Sequence, residues 1–431
     1  MNRSLILLFI VALITSCSKT PQTPKLDTLA ENYVRLVLEI GQYNSDFVDA
    51  YYGPAEWKPT TQKADSLPVK DFTDRISKLL NQSDSVDSVG FSMLEKARLV
   101  MFKKQLLAVK TKLEMMTGKK YPFDEEAQLI YDATPPHFTD AHFDSLLVSL
   151  DQALPGKGSL PTRYNAFANQ FVIPKEKLDT VFKTAIAEAR KRTSEYIILP
   201  DSENFKLEFV TNKSWSGYNY YQGKSKSLIQ INTDFPIFIQ RAVDLACHEG
   251  YPGHHVYNVL LEHHLVDSLG WKEFSVYPLF SPQSLIAEGS ANYGIDVAFP
   301  GTERMKFEKE VLFPLAGLDV SKADQYYMIL GLMDKLSYAG NEAARKYLNG
   351  EITQEACAQY LEKYLLNAPD RALQRTRFFD QYRSYVINYN LGKDLVAQYV
   401  FAKGGASENP QMRWKVFKEL LSTPHTASSL R

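Results

Sequence analysis

Cysteine is scarce in this chain, three in 431 residues, and neither sign of charge is in excess, the formal net charge being −1. Apart from Cys17 near the N-terminus only Cys247 and Cys357 are present, so a disulfide is possible between those two, and spacing alone does not say whether it forms. Neither cysteine stands in a thiol motif or an activating turn, which argues against thiol catalysis. Cys247, directly before His248, reads instead as a small buried apolar residue on the inner side of its helix. The balanced charge removes the basic excess that binding to nucleic acid or to an anionic membrane surface requires. Long apolar runs are also missing, since nothing after the leader is apolar enough to span a bilayer. No internal repeat is evident. What is there, 45% hydrophobic and 23% charged residues, is an ordinary globular composition.

The N-terminus reads as an export signal. Arg3 supplies a positive start, and Leu5 to Ile14 form an apolar stretch too short to cross a membrane. Leu13-Ile14-Thr15-Ser16-Cys17 then resembles a bacterial lipobox. The expectation is a signal peptide over residues 1–16, cleavage before Cys17, and a lipid on its thiol. Ser18 favours the outer membrane, facing the periplasm. Residues 17–28, with Pro21 and Pro24 and little to pack, read as a tether.

From Leu29 the apolar residues recur at helical spacing, as in Leu29, Tyr33, Leu36 and Ile40. Residues 68–84, 92–116, 138–153 and 174–195 continue the pattern, with Pro135-Pro136 and Pro155-Gly156 as breaks. Residues 29–195 are thus expected to form a helical N-terminal portion. After Pro200 the character changes. Lys206 to Val210 and Ser227 to Asn232 read as short strands, with Trp215, Tyr218, Tyr220 and Tyr221 between them. Helical patterns resume over 237–249, 255–269, 282–297, 303–312, 320–347, 353–366, 369–380 and 392–403. The expected fold is mostly α with a small β-sheet at a cleft. Residues 196–431 are expected to form a second portion, metal-binding and catalytic on the motif described next, with one continuous domain as the alternative to two. The second strand is expected at a sheet edge, where it would pair with an extended peptide, and Tyr220 and Tyr221 are expected to line the cleft.

Five of eight histidines fall between positions 248 and 264, in a segment that begins His248-Glu249-Gly250-Tyr251-Pro252-Gly253-His254-His255. Zinc takes imidazole nitrogen and carboxylate oxygen and, at a catalytic site, keeps a position for water. A carboxylate beside the first ligand is placed to take that water's proton. In the usual His-Glu-x-x-His arrangement the two histidines lie one helical turn apart. Here the next histidine is six positions on, turned about 240° away on a regular helix, and His255 would sit about 10 Å further along. Pro252 cannot donate to the carbonyl of residue 248, and Gly253 permits unusual dihedrals. A bulge that absorbs two residues would bring His254 into place, with His255 as the alternative. Glu288, inside Ala287-Glu288-Gly289-Ser290-Ala291-Asn292-Tyr293, is the candidate third ligand. The small Gly289 and Ala291 would let a neighbouring helix approach.

These residues carry a resemblance. His-Glu-x-x-Pro-Gly-His-His followed by Glu-Gly-x-Ala-x-Tyr is similar to the bacterial "domain of unknown function 885" family, grouped with gluzincin-type zinc peptidases, over roughly residues 138–400. The resemblance implies a mostly helical metal-binding hydrolase holding one zinc ion through His248, His254 and Glu288, with Glu249 as general base. The family carries tryptophan where Ser290 stands, and a second acid seven residues after the glutamate, where this chain has Ile295 with Asp296 beside it. Near the C-terminus the family's Pro-Gly is missing, but Tyr389 and Gly392 align. Tyr389 becomes the candidate donor to the developing oxyanion.

The expected function is therefore zinc-dependent cleavage of peptide bonds in the cell envelope, with the membrane reached only through the lipid anchor and no nucleic-acid partner. The rivals are a non-catalytic lipoprotein that binds peptides or glycans, and a zinc hydrolase of non-peptide amides or esters.

Overall fold

A computed structural model describes residues 25–431. The signal peptide, Cys17 and most of the tether lie outside the described residues. Helix α1 (Leu26–Gly41) leads into strand β1 (Val48–Tyr51), then α2 (Val69–Asp84), α3 (Met93–Met116), α4 (Phe123–Tyr131), α5 (Asp140–Ala153), α6 (Leu160–Ala168) and α7 (Leu178–Ser194). Strands β2 (Asn204–Val210), β3 (Gly217–Gly223) and β4 (Lys226–Asn232) follow. Then come α8 (Gln240–Leu245), α9 (His254–Leu261), β5 (Val276–Pro278), α10 (Pro282–Ala298), α11 (Glu303–Phe307) and α12 (Phe313–Ala316). The chain ends through α13 (Ala323–Lys335), α14 (Ala339–Leu348), α15 (Gln354–Tyr364), α16 (Pro369–Tyr382), α17 (Ile387–Ala402) and α18 (Pro410–Ser422). The fold is mostly α with small sheets, as the periodicity led one to expect. No helix among the described residues is long and apolar enough to cross a membrane.

Local chemistry starts these helices where it can. Ser92 and Glu95 form a reciprocal capping box at α3, and Thr139 caps α5, each satisfying amides that no helical carbonyl reaches. Proline opens α10, α16 and α18 in the first turn, where its missing N–H costs nothing. The pattern missed α4, α6 and α18, and it ran 320–347 together where the chain breaks between Lys335 and Ala339.

The sheets required the larger corrections. The aromatic segment around Tyr218 is itself a strand, β3, paired antiparallel to β4, while β2 pairs parallel to β4 on the other side. The order is β2-β4-β3, so β4 is the central strand and not an edge. Both sides of its backbone are taken, and it has no free row of amides to offer a peptide. Its Ser227, Ile229 and Ile231 are buried on one face. Strands β1 and β5 make a separate two-stranded antiparallel sheet.

One hydrophobic cluster runs from Ala50 on β1 through Val181 and Phe182 on α7 to Leu430 at the C-terminus, so both portions contribute to one core. A second cluster joins α1, α2 and α3 with Phe47 and Val276. A third joins α5 to α13, α14 and α15. Helices α10 and α17 cross backbone to backbone. A Cβ placed on Gly289 would lie 2.4 Å from the carbonyl carbon of Gly392, and one on Gly392 would lie 2.8 Å from the Leu285 oxygen. Only glycines permit that approach. The small residues noted in the sequence therefore do admit a neighbour, and it is α17, the helix that follows Tyr385 and carries Tyr389.

Candidate metal centre

Helix α8 widens at its end into a π-turn over Ala246–Gly250. The Tyr251 amide donates to the Ala246 carbonyl and the Gly253 amide to the Cys247 carbonyl, at 2.9 and 2.8 Å. The Tyr251–Pro252 bond is cis, and α9 begins at His254. The helix is thus not one bulged rod. It ends, turns through Tyr251-Pro252-Gly253 and restarts, with Gly253 pressed against the turn it closes. A Cβ there would lie 2.0 Å from the His248 oxygen.

This turn brings His254 back over His248, their rings perpendicular with centroids 4.7 Å apart. The two Nε2 atoms are 3.2 Å apart. Glu288, projecting from α10, places Oε2 3.2 Å from His248 Nε2 and 3.7 Å from His254 Nε2. Four ligands tetrahedral about zinc at about 2.0–2.1 Å lie about 3.3–3.4 Å from one another, so three corners of such a site are nearly in place. These three side chains form the candidate cation site among the described residues. Glu288 Oε2 is buried without a hydrogen-bond partner, an arrangement that costs free energy unless a cation or donor meets it. The donor set and the orphaned oxygen fit a divalent metal.

The next layer holds these ligands. His248 Nδ1 lies 3.0 Å from Asn292 Oδ1, and Asn292 Nδ2 donates to the Tyr389 carbonyl at 2.9 Å. The second bond fixes which way the amide points, so its oxygen accepts from Nδ1–H and leaves the Nε2 lone pair facing the centre. Tyr385 donates to Glu288 Oε1 at 2.7 Å. Burial works against the Glu288 carboxylate, but His248 and His254, when protonated, outweigh it and hold the group well below its ordinary range.

Glu249 is 4% exposed. Its carbonyl accepts from Asn219 Nδ2 at 2.7 Å. Its carboxylate lies against Gly217 of β3, where a Cβ would come within 2.8 Å of Oε1. Burial lifts this carboxyl to about 7, with the His254 charge opposing and the Glu288 charge reinforcing. Asp49 on β1 is lifted to about 7 in the same way, by burial first and by Glu288 and Glu249 after the opposing His254. The Tyr218 hydroxyl donates to it. A lone aspartate some 200 positions before the histidine motif carries no local signal, and neither Asp49, Asn292 nor Tyr385 was singled out by sequence reasoning. Asn292 at least lay four positions from Glu288, one helical turn.

The remaining candidates separate. His255 is fully buried, with Nε2 2.9 Å from Glu203 Oε2 and Nδ1 2.8 Å from Ser227 Oγ. Both its nitrogens are committed away from the centre, so the alternative of His255 as second ligand is corrected. Tyr221 is 5% exposed and its hydroxyl donates to Glu262, so it supports β3 from below and does not line a cleft. Glu262 is fully used by Tyr221 and by the Lys224 and Ser225 amides. Tyr220 points to the other face, its ring 4.5 Å from Tyr218 and partly exposed. Tyr389 stays half-buried with its ring 5.8 Å from Tyr385. Burial and then the Glu288 charge push its phenol well above the usual value, so it remains a protonated donor. Asp296 pairs with Lys393 at 3.0 Å and takes no part in the centre. Cys247 and Cys357 are both free and buried.

No family model and no curated protein matches the chain. Among solved structures, it resembles a protein from Colwellia psychrerythraea assigned as a lipoprotein, with TM-score 0.47 and 13% identity over 81% of this chain. This chain spans 66% of that protein's length. It also resembles Trypanosoma cruzi metallocarboxypeptidase 1, with TM-score 0.44 and 12% identity over 92% of this chain and 91% of the other.

Proposed function

We propose that the chain is a zinc-dependent hydrolase cleaving peptide bonds in the cell envelope, exported and lipid-anchored at Cys17. The observation that carries this reading is the meeting of His248 Nε2, His254 Nε2 and Glu288 Oε2 beside a buried, otherwise uncommitted Glu249 carboxylate. His248, His254 and Glu288 would hold the metal. A bound zinc ion supplies Lewis acidity and brings the pKa of water near neutrality.

The residues of the chain do the rest. Glu249, whose carboxyl is lifted to about 7, would accept a proton at its carboxylate and return it to the leaving amine, as a base poised near the working pH can. Tyr389 would donate its hydroxyl to the oxyanion that develops on the scissile carbonyl. Asn292 and Tyr385 keep the ligands aimed. A peptide-binding protein without catalysis has no need of a buried base beside a ligand pair. We expect Glu249→Gln to lose at least about 100-fold in turnover while retaining about one zinc per chain by elemental analysis. Full activity in that variant rejects the assignment, and absence of any bound metal in the purified wild type rejects the centre itself.

A further inference from the structure

Helix α16 carries Arg371 and Arg375 one turn apart, and among the described residues neither forms an ion pair with a carboxylate. Like charges at this spacing repel. The two have only weak local company. Arg371 Nη1 donates to Gln374 at 3.2 Å and its guanidinium lies 4.2 Å from the Phe235 ring. The Arg375 guanidinium lies 5.5 and 5.7 Å from the Phe378 and Phe379 rings, and its Nε is buried without a partner. A third arginine, Arg241, opens α8 seven positions before His248, two turns away on the same face. Its own carboxylate, Asp244, is 3.2 Å off and shared with Arg304.

This cluster borders the metal centre. The Phe378 ring that Arg375 covers is 6.4 Å from the Tyr389 ring, and Tyr389 and Arg375 act electrostatically on each other. Arg241 stands on α8, the helix that runs into the π-turn carrying His248 and Glu249. Arg371 and Arg375, two guanidiniums with spare donors and no carboxylate of their own, are suited to an anion from outside.

We infer that Arg371 and Arg375, with Arg241 behind them, form an anion subsite on the Tyr389 side of the metal centre, and that it takes a carboxylate of the substrate. Resting on the hydrolase reading, this would place the cleaved bond near a terminal α-carboxylate or an acidic side chain.

The test measures binding to zinc-loaded Glu249→Gln protein by calorimetry. Its probes are N-acetyl-tetra-alanine as free acid, the same peptide as C-terminal amide, and an amide with glutamate in the last position. The free acid should bind about 10- to 100-fold more tightly than the amide, the range of a charge-assisted bond. Adding Arg375→Gln should reduce that ratio to near one. If the glutamate amide regains the affinity, the side chain is the source, and if it does not, the terminus is. Arg375→Gln should melt no lower than its parent, because one of two like charges is gone. Arg371→Gln, on the exposed rim, carries the same comparison if it does not fold. Equal binding of acid and amide, undetectable binding of the acid, or a preference that survives both substitutions overturns the subsite. Hydrolysis of acid and amide with equal efficiency by wild type also overturns it but leaves the hydrolase reading standing. Carboxylate-selective binding with no peptide hydrolysed sinks the hydrolase reading and leaves the subsite.

Discussion

Replacing Asn292 by alanine isolates the support given to one ligand without touching any ligand. The change removes the 3.0 Å contact to His248 Nδ1 and the 2.9 Å bond to the Tyr389 carbonyl. Loss of such an outer partner costs about 10- to 100-fold in metal affinity, or about 1.4–2.8 kcal/mol. The consequence for stability follows by mass action. At a free zinc concentration about 100 times the wild-type Kd, binding stabilises the native state by about 2.7 kcal/mol. At the same concentration the variant gains only about 0.4–1.4 kcal/mol. The metal-free proteins should differ by no more than about 1–3 kcal/mol, the worth of the two lost hydrogen bonds at about 0.5–1.5 kcal/mol each. Competition against a chromophoric chelator gives the affinity, and urea unfolding with and without zinc gives the gap. Asn292→Asp keeps an acceptor facing Nδ1 and should bind zinc more tightly than Asn292→Ala does. An alanine variant within twofold of wild-type affinity, with an unchanged zinc-dependent gap, refutes the claim that Asn292 fixes the His248 tautomer.

Other outcomes follow from neighbouring residues. His254→Ala should abolish zinc binding with little loss of metal-free stability, whereas His255→Ala should cost about 1.5–3 kcal/mol in urea unfolding, because it removes one charge-assisted bond to the buried Glu203 carboxylate while Tyr251 and Arg190 keep theirs. Burial opposes ionisation of Glu203, but His255, Tyr251 and Arg190 hold its carboxyl down to about 2. Its stabilisation is therefore complete above the ordinary glutamate range near 4.5 and is lost as pH falls from there toward 2. Glu203→Gln should flatten that acid limb of a stability-against-pH curve by roughly 3 kcal/mol, and an unchanged limb counts against the network. Gly392→Ala should push α10 and α17 apart and cost about 1–3 kcal/mol or more, read as a lower Tm together with weaker zinc binding. A variant as stable as wild type would mean that the helices tolerate separation.

Much of this molecule was readable in one dimension. Most helices announced themselves through 3.6-residue spacing and caps such as Ser92 with Glu95, because helix hydrogen bonds and faces are local. The metal motif was likewise legible, since His248, Glu249 and the Pro252-Gly253 step are contiguous and zinc accepts few side chains. Even Glu288 was marked by the small residues beside it, and Gly289 does meet Gly392 backbone to backbone. The helix content and the candidate ligands were thus determined by the sequence itself.

What the sequence left open depends on partners far along the chain. His254 and His255 are adjacent and chemically identical, and the choice between them rests on the angle at which the chain leaves the π-turn and on Glu203 and Ser227 waiting for the second imidazole. Strand periodicity shows which residues alternate but not which strands pair, so β4 looked like an edge until β2 and β3 were seen on both its sides. Asp49 and Tyr385 reach the centre, and the arginines of α16 come beside Phe378 next to Tyr389, only through packing between segments far apart in the chain. Ligand types are a property of residues, whereas their convergence on one point is a property of long-range contacts, and only the tertiary structure supplies those.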